Sequence, residues 1–399
     1  MASVRQAPPS GRVAEIGPSK PRGRLIEVDI LRGFLLLWMT LTHLPTKANI
    51  VSNQTFGFVS GAEGFIFLSA FMVGQLEMRI EQKRGFYATI QDLARRTVRI
   101  YFYHCALLAI AFTIVAEFGV RFHRMAIQNL LSFYLQDPKH AIIAAAALKY
   151  RPSLLDILPM YIVFMALTPI ARAIAKRWNW DVVIAISFAV WTAAQFGLRA
   201  WMYRHFNLLG VVVPETSTGA FDLYAWQFLW MTGLALGSIY AETLAADAAH
   251  PPPPTDTGIP RSILALSAVI ASVFLVLRYS PLDHWMNPDV YNWLVDKWHL
   301  GSARVINFSA IAILLVRYGT RIASLWVVKP LASLGQASLE VFSIHVLFCV
   351  AGDALSHDPD PSLPIWQQAI LLVVTISGLF ATAHFVVERA SKKRAQSGH

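Results

Sequence analysis

Runs of roughly twenty apolar residues recur about ten times along the chain, and that length is what an α-helix needs to cross the ~30 Å hydrocarbon of a bilayer. They fall near residues 30–48, 57–77, 100–119, 156–175, 181–200, 224–243, 262–278, 303–319, 333–353 and 366–387. Hydrocarbon offers no water to backbone N–H and C=O groups, so each run must satisfy its own backbone as a helix. The expected fold is therefore all-α, a polytopic membrane bundle of about ten spans. Composition agrees, with 55% hydrophobic and only 15% charged residues. The net charge of +10 does not lie along one face. Its Lys and Arg sit in short tracts between the apolar runs, which assigns the basicity to topology and argues against nucleic acid as a partner. Placing the N-terminus in the cytoplasm puts the richest tracts, at 22–24, 79–99, 172–177, 317–329 and 389–394, on the inner side, so both termini are predicted to be cytoplasmic.

Residues 1–24 are rich in Pro, Gly and Arg without apolar periodicity, and are expected to be a disordered cytoplasmic tail. The run that follows is too long for a signal-peptide core and is read as an anchor. The membrane domain is placed at 25–388, with the AHPPPPTDTG stretch at 249–258 as a cytoplasmic linker inside it and 389–399 as a basic cytoplasmic tail. Cys105 and Cys349 both lie in apolar runs, where an inert buried thiol is the expectation. The chain has no Gly-rich phosphate loop, nucleophile elbow or metal-spaced His/Cys cluster, so no metal and no tightly bound cofactor is expected. No internal repeat stands out, which weighs against an inverted-repeat transporter.

An ionisable side chain in mid-membrane costs about 2.5–3.5 kcal/mol on insertion scales, so each needs a partner or a wet cavity. The first run, VDILRGFLLLWMTLTHLP, carries Asp29, Arg32 and His43. Asp29 and Arg32 are spaced to pair on one helical face, and for Asp29 an interfacial ion pair is the simpler reading. His43 lies about three turns and ~16 Å beyond Arg32, at nearly the same azimuth, which draws a polar stripe along the helix. The second run, FGFVSGAEGFIFLSAF, sets Ser60, Glu63 and Ser69 among small residues that permit close helix approach. A carboxylate beside an imidazole is the arrangement of a general base, so Glu63 is the candidate to orient His43. A substrate contact, or pairing with Arg32, is equally open to it. Arg95, Arg96 and Arg99 are positive-inside anchors by default, but three within five positions also suit the phosphates of a cytoplasmic donor. Asp156 and Tyr161 open the fourth run, and the ninth embeds Glu340 and His345, the rival to His43. Gln227 is a weaker substrate candidate, because a lone amide more often ties helices together. Trp298 belongs to an outer segment, YSPLDHWMNPDVYNWLVDKWHLG, whose aromatic and polar mixture suits sugar rings or an interfacial belt.

Six blocks in order, RLIEVDILRGFLLLWMTLTH, GFVSGAEGFIFLSAFMVG, DILPMYIVFMALTP, AWQFLWMTGLALG, DKWHLGSARVINF and LGQASLEVFSIHVLF, resemble the OpgC-type membrane acyltransferases across most of 24–388. The resemblance implies an enzyme of the bacterial inner membrane that transfers succinyl from cytoplasmic succinyl-CoA to hydroxyls of osmoregulated periplasmic glucans. By analogy His43 is catalytic. The expected scheme has Arg95, Arg96 and Arg99 holding the acyl-CoA phosphates, with Arg32 on the donor path and His43, oriented by Glu63, deprotonating a glucan hydroxyl. Asp29, Ser69, Asp156, Tyr161, Gln227, Trp298 and His345 are the expected substrate contacts. Membrane lipid is the remaining partner, and a homodimer is left open. The alternative from another class is a glycan or lipid transporter or flippase using the same charges as a path.

Overall fold

The computed structural model describes residues 25–206, 212–249, 258–281, 286–356 and 363–397. The expected tail at 1–24 and most of the 249–258 linker lie outside the described residues. Among those described the chain is helical, without a strand. In order it forms α1 (Ile26–His43), α2 (Ala48–Ser52), α3 (Gly61–Arg84), α4 (Phe86–Ile110), a π-helical turn (Ala111–Val115) and α5 (Ala116–Arg121). Three short helices follow, α6 (Met125–Leu130), α7 (Ser132–Gln136) and α8 (Pro138–Ala146), then α9 (Ile157–Arg177), α10 (Trp180–Gln195) and α11 (Leu198–His205). The rest comprises α12 (Leu223–Ala249), α13 (Arg261–Tyr279), α14 (Pro288–Val295), α15 (Ser302–Ser324), α16 (Leu331–Gln336), α17 (Ser338–Leu355) and α18 (Ile365–Ser397).

Six of the described helical segments are long and apolar enough to cross a membrane, and a seventh if the α10–α11 pair counts as one. The protein is a membrane protein on that composition. The expected runs that fall outside this set are instructive. Glu27, Asp29 and Arg32 lie in α1, and Glu63, Glu77 and Glu81 in α3. Asp29, Glu63 and Glu77 are completely buried. The helices least suited to lipid by composition are thus the ones that turn their charges inward, whereas the apolar window of α13 is only 6% buried.

Two expected spans are broken. The 181–200 run bends by 83° between α10 and α11, at Gly197, whose φ of 87° is a left-handed conformation open to glycine. The 333–353 run is interrupted at Ala337, which separates α16 from α17 and puts Ser338 in the first turn of α17. The 120–155 segment folds into the three short helices α6–α8, which pack on the bundle. Ile127, Leu131, Phe133, Ala141, Ala144 and Ala145 from α6–α8 are buried, and the Tyr101 hydroxyl of α4 donates to the Ala146 carbonyl at 2.9 Å.

Glycines decide the tightest packing. Gly233 and Gly237 of α12 form a small-xxx-small pair that lies against the Phe67 and Phe71 carbonyls of α3, while Gly74 of α3 faces the Leu234 carbonyl. A Cβ at any of these would run into backbone. The same holds between α1 and α16, where Gly33 meets the Leu331 carbonyl and Gly335 the Asp29 carbonyl. Gly237→Leu should therefore cost about 3 kcal/mol or more, read as a lowered thermal midpoint of the purified protein. Gly319→Ala, where a Cβ meets nothing within 4 Å, should be neutral or gain up to about 1 kcal/mol.

Candidate active site

α1 ends at His43, so its imidazole is delivered to one end of the bundle by a helix whose face toward α16 is fixed by glycine contact. The ring lies 5.7 Å from that of His345 on α17, centroid to centroid, at an interplanar angle of 47°. His345 is 2% exposed and its Nδ1 stands 3.4 Å from the Cys349 sulfur one turn on. The Nδ1 of His43 is buried and has no hydrogen bond of normal geometry among the described residues, with the Met39 backbone as its near polar neighbour. The charge whose field reaches the ring belongs to Lys297.

Glu63 does not serve His43. One carboxylate oxygen, Oε1, accepts from Arg304 Nε at 2.8 Å and from Arg304 Nη2, while Oε2 accepts from the Ser60 backbone N–H at 3.0 Å and from the Ser60 hydroxyl. Both side chains of the ion pair are 0% exposed. The pattern S-x-x-E at the head of α3 is a capping box, and it uses the acid that the sequence reading assigned to the imidazole. Arg304 also reaches the Val295 carbonyl at 3.5 Å and so ties α3 and α15 to the end of α14.

The turn between α14 and α15 is pinned on one side. The carbonyls of Lys297 and Trp298 accept from the Trp226 indole at 3.2 and 3.1 Å, that of His299 from Gln195 at 2.7 Å, and that of Leu300 from the Trp191 indole at 3.0 Å. Leu300 holds a φ of 50°, a left-handed conformation that a branched side chain adopts only under tertiary constraint. Asp296 caps the turn, accepting from the Trp298 N–H at 2.7 Å and pairing with His299 Nδ1 at 2.6 Å. That hydrogen bond raises His299 above the ordinary imidazole value against the opposing effect of burial. Trp298 is exposed, and the Lys297 ammonium lies 5.0 Å from its ring centroid. Beside the turn, Asp156 is 2% exposed and accepts from the Ala220 N–H at 3.1 Å. Arg151, 7% exposed, lies close to it, with Nε and Nη1 unpartnered among the described residues. Burial pulls Arg151 down to about 10, although Asp156 works the other way.

At the opposite end the three arginines disperse. Arg95 is exposed, Arg96 pairs with Asp92 and approaches Glu77 at 3.9 Å, and Arg99 pairs with Glu340 of α17, which also accepts from Tyr103 at 3.3 Å. The side chain of Arg32 donates to Ser338. Between the two ends, Tyr161 lies beside the buried Ser69 hydroxyl and within the fields of Arg32 and Arg96. Gln227 spends its amide in the α10–α12 seam, accepting from the Ser187 hydroxyl at 2.6 Å and donating to the Ser187 and Tyr224 carbonyls at 2.8 and 3.1 Å. That leaves no donor for a substrate, and its role is interhelical. A cleft of about 430 Å³ opens at the Arg99 end between α3, α9, α10 and α12, lined by Glu81, Arg172, Lys176, Trp180 and Glu242 among others.

A family model described as OpgC protein matches residues 24–391, nearly the whole chain. The chain belongs to the OpgC family. Among curated proteins and solved structures nothing matches significantly. Membership implies acyltransferase-type activity in glucan modification, and the fold seen here sets His43 against His345, with the Lys297 charge within electrostatic reach of His43. Arg304 and Lys297 escaped the sequence reading. Arg304 stands second in from the start of an apolar run and passed as a topological charge, although Asn307 three residues on, which donates to the Phe56 carbonyl at 3.1 Å, marks the same polar face. Lys297 was one polar residue among many in an aromatic loop.

Removing Glu63 strands a fully buried guanidinium. Glu63→Ala should lower stability by about 3–5 kcal/mol, seen as lost folded protein after extraction. Replacing both partners with Met should recover much of it. The His299 pair carries a pH signature. Because its folded pKa is raised, its contribution is complete below the unfolded value of about 6.5 and is lost as pH rises through the folded value. Asp296→Asn should move the His299 NMR titration to lower pH.

Proposed function

We propose that this OpgC-family chain is an O-acyltransferase that moves an acyl group, succinyl by its resemblance, from acyl-CoA to hydroxyls of glucans. The acyl-CoA arrives from the cytoplasm at the Arg99 end and the glucan from the periplasm at the His43 end. In this reading the ten long helical segments all cross the bacterial inner membrane, with both termini cytoplasmic. The observation that carries it is two groups of polar side chains in a largely apolar bundle. Arg32–Ser338, Tyr161 and Ser69 lie toward the Arg99–Glu340 end, and the buried His43–His345 pair lies at the other. Polar groups in hydrocarbon are costly, and those retained there mark places where a substrate is handled.

His43 acts as general base. A glucan hydroxyl oxygen attacks the thioester carbonyl carbon while its proton passes to His43, the C–S bond breaks, and the departing thiolate takes that proton. Ester and free CoA thiol are the products. With Glu63 committed to Arg304, the imidazole is oriented by Met39 and by its contact with His345. Exposed Arg95, with Arg96 and Arg99 near it, supplies positive charge for the CoA phosphates at the donor end. Asp29 acts through the α1–α16 seam, and Asp156 and Trp298 flank the glucan entrance.

His43→Ala, expressed in a strain lacking its own enzyme, should reduce the acyl mass on extracted glucans by at least about 100-fold at unchanged protein level. Retained acyl mass overturns the catalytic assignment. Unmodified glucans that fail to reach the periplasm would instead favour a transporter.

A further inference from the structure

Lys297 is an unusual charge. Its ammonium is partly buried at the His43 end, makes no hydrogen bond or ion pair with the described residues, and lies 5.0 and 5.9 Å from the ring centroids of Trp298 and Phe221. The charged groups around it come from several elements. Glu63 of α3 is already taken by Arg304 of α15, Asp156 ahead of α9 accepts from the Ala220 N–H and has Arg151 close by, and His43 closes α1. Burial pushes Lys297 below the ordinary lysine value, with Glu63 and Asp156 opposing and Arg304 adding to the shift. The carbonyls of residues 297–300 each accept a side-chain hydrogen bond from Trp226, Gln195 or Trp191, which fixes the turn that carries Lys297.

A partly buried cation held by two aromatic rings, with no carboxylate paired to it among the described residues and within electrostatic reach of His43, is costly in the resting protein, and the cost is offset when negative charge forms beside it. Resting on the acyl-transfer reading above, we infer that Lys297 is a further catalytic residue, its ammonium placed to receive the negative charge that forms on the thioester carbonyl oxygen. As the hydroxyl oxygen bonds to the carbonyl carbon, the C=O π electrons move onto the carbonyl oxygen, which the Lys297 ammonium would stabilise. When they return, the C–S bond breaks and the thiolate leaves with the proton that His43 had taken. Lys297 donates a hydrogen bond throughout and ends the cycle still protonated. Glu63–Arg304 would hold the turn, and the chemistry would lie between His43 and Lys297.

The experiment uses full-length protein in nanodiscs, succinyl-CoA as donor, and unmodified glucans from the strain lacking the enzyme. Lys297→Met should lower kcat by about 100-fold with KM for succinyl-CoA within about twofold, the signature of an interaction made only in the transition state. Its thermal midpoint should stay or rise, because no hydrogen bond is lost. Lys297→Arg should keep part of the rate and move the alkaline limb of the kcat profile to higher pH, since a guanidinium stays charged where a depressed lysine does not. A raised KM with kcat retained would make Lys297 a binding group for the donor's carboxylate and overturn the inference. An unchanged kcat, or a lowered thermal midpoint that accounts for the loss, would overturn it too. Wild-type protein that transfers no acyl group would remove the acyl-transfer reading and this inference with it.

Discussion

The buried Glu63–Arg304 ion pair is the contact on which the His43 end of the bundle depends. Two opposite charges with no exposure are kept in an apolar interior by satisfying one another, and the second carboxylate oxygen is satisfied by the Ser60 cap. The pair fixes where α3 begins and how α15 enters, and through the Val295 carbonyl it fixes the end of α14. The turn carrying Lys297 and Trp298 spans the short gap between α14 and α15. Its position is therefore set from below by an ion pair and from behind by the indoles of Trp191 and Trp226. A turn framed in this way holds the Lys297 ammonium over the Trp298 and Phe221 rings without relying on an ion pair of that ammonium for stability.

Much of the helical layout was legible because hydrocarbon imposes a length and a composition on whatever crosses it, and helix lies over each of the ten apolar runs. The resemblance carried by six sequence blocks likewise agrees with the family match. Partner choice was far less legible. Glu63, from the second run, was the candidate to orient His43, yet neither run can show that Arg304, some 240 positions away, claims it; a guanidinium offers two charge-assisted hydrogen bonds where an imidazole offers one. Arg95, Arg96 and Arg99 looked like one cluster in the sequence, and at about 100° per residue they do share one side of α4, but Arg96 is taken by Asp92 of its own helix and Arg99 by Glu340 of α17, contacts that spacing alone does not reveal. Gln227 illustrates the reverse, since the bland expectation for a lone amide in a span is what its three hydrogen bonds fulfil.

The interior divides labour between its ends. At the Arg99 end the cations are mostly matched, to Asp92, Glu340 and Glu81, and the matching joins α4 to α17 and α3 to α9. At the His43 end the matched pair, Glu63–Arg304, is structural, and Lys297 makes no ion pair with the described residues. The charges that hold the fold and the one proposed to act in transfer are thus different groups.

The glycine seams of α3 with α12 and of α1 with α16 place the best-packed interfaces in the centre, while α13 leans on α15 and leaves most of its length bare of protein. For α13 the acyl chains of the surrounding lipid stand in for the rest of a hydrophobic core. Extraction into a short-chain detergent therefore strips this helix of contacts that no other part of the chain can replace, and the choice of amphiphile becomes part of the protein's packing.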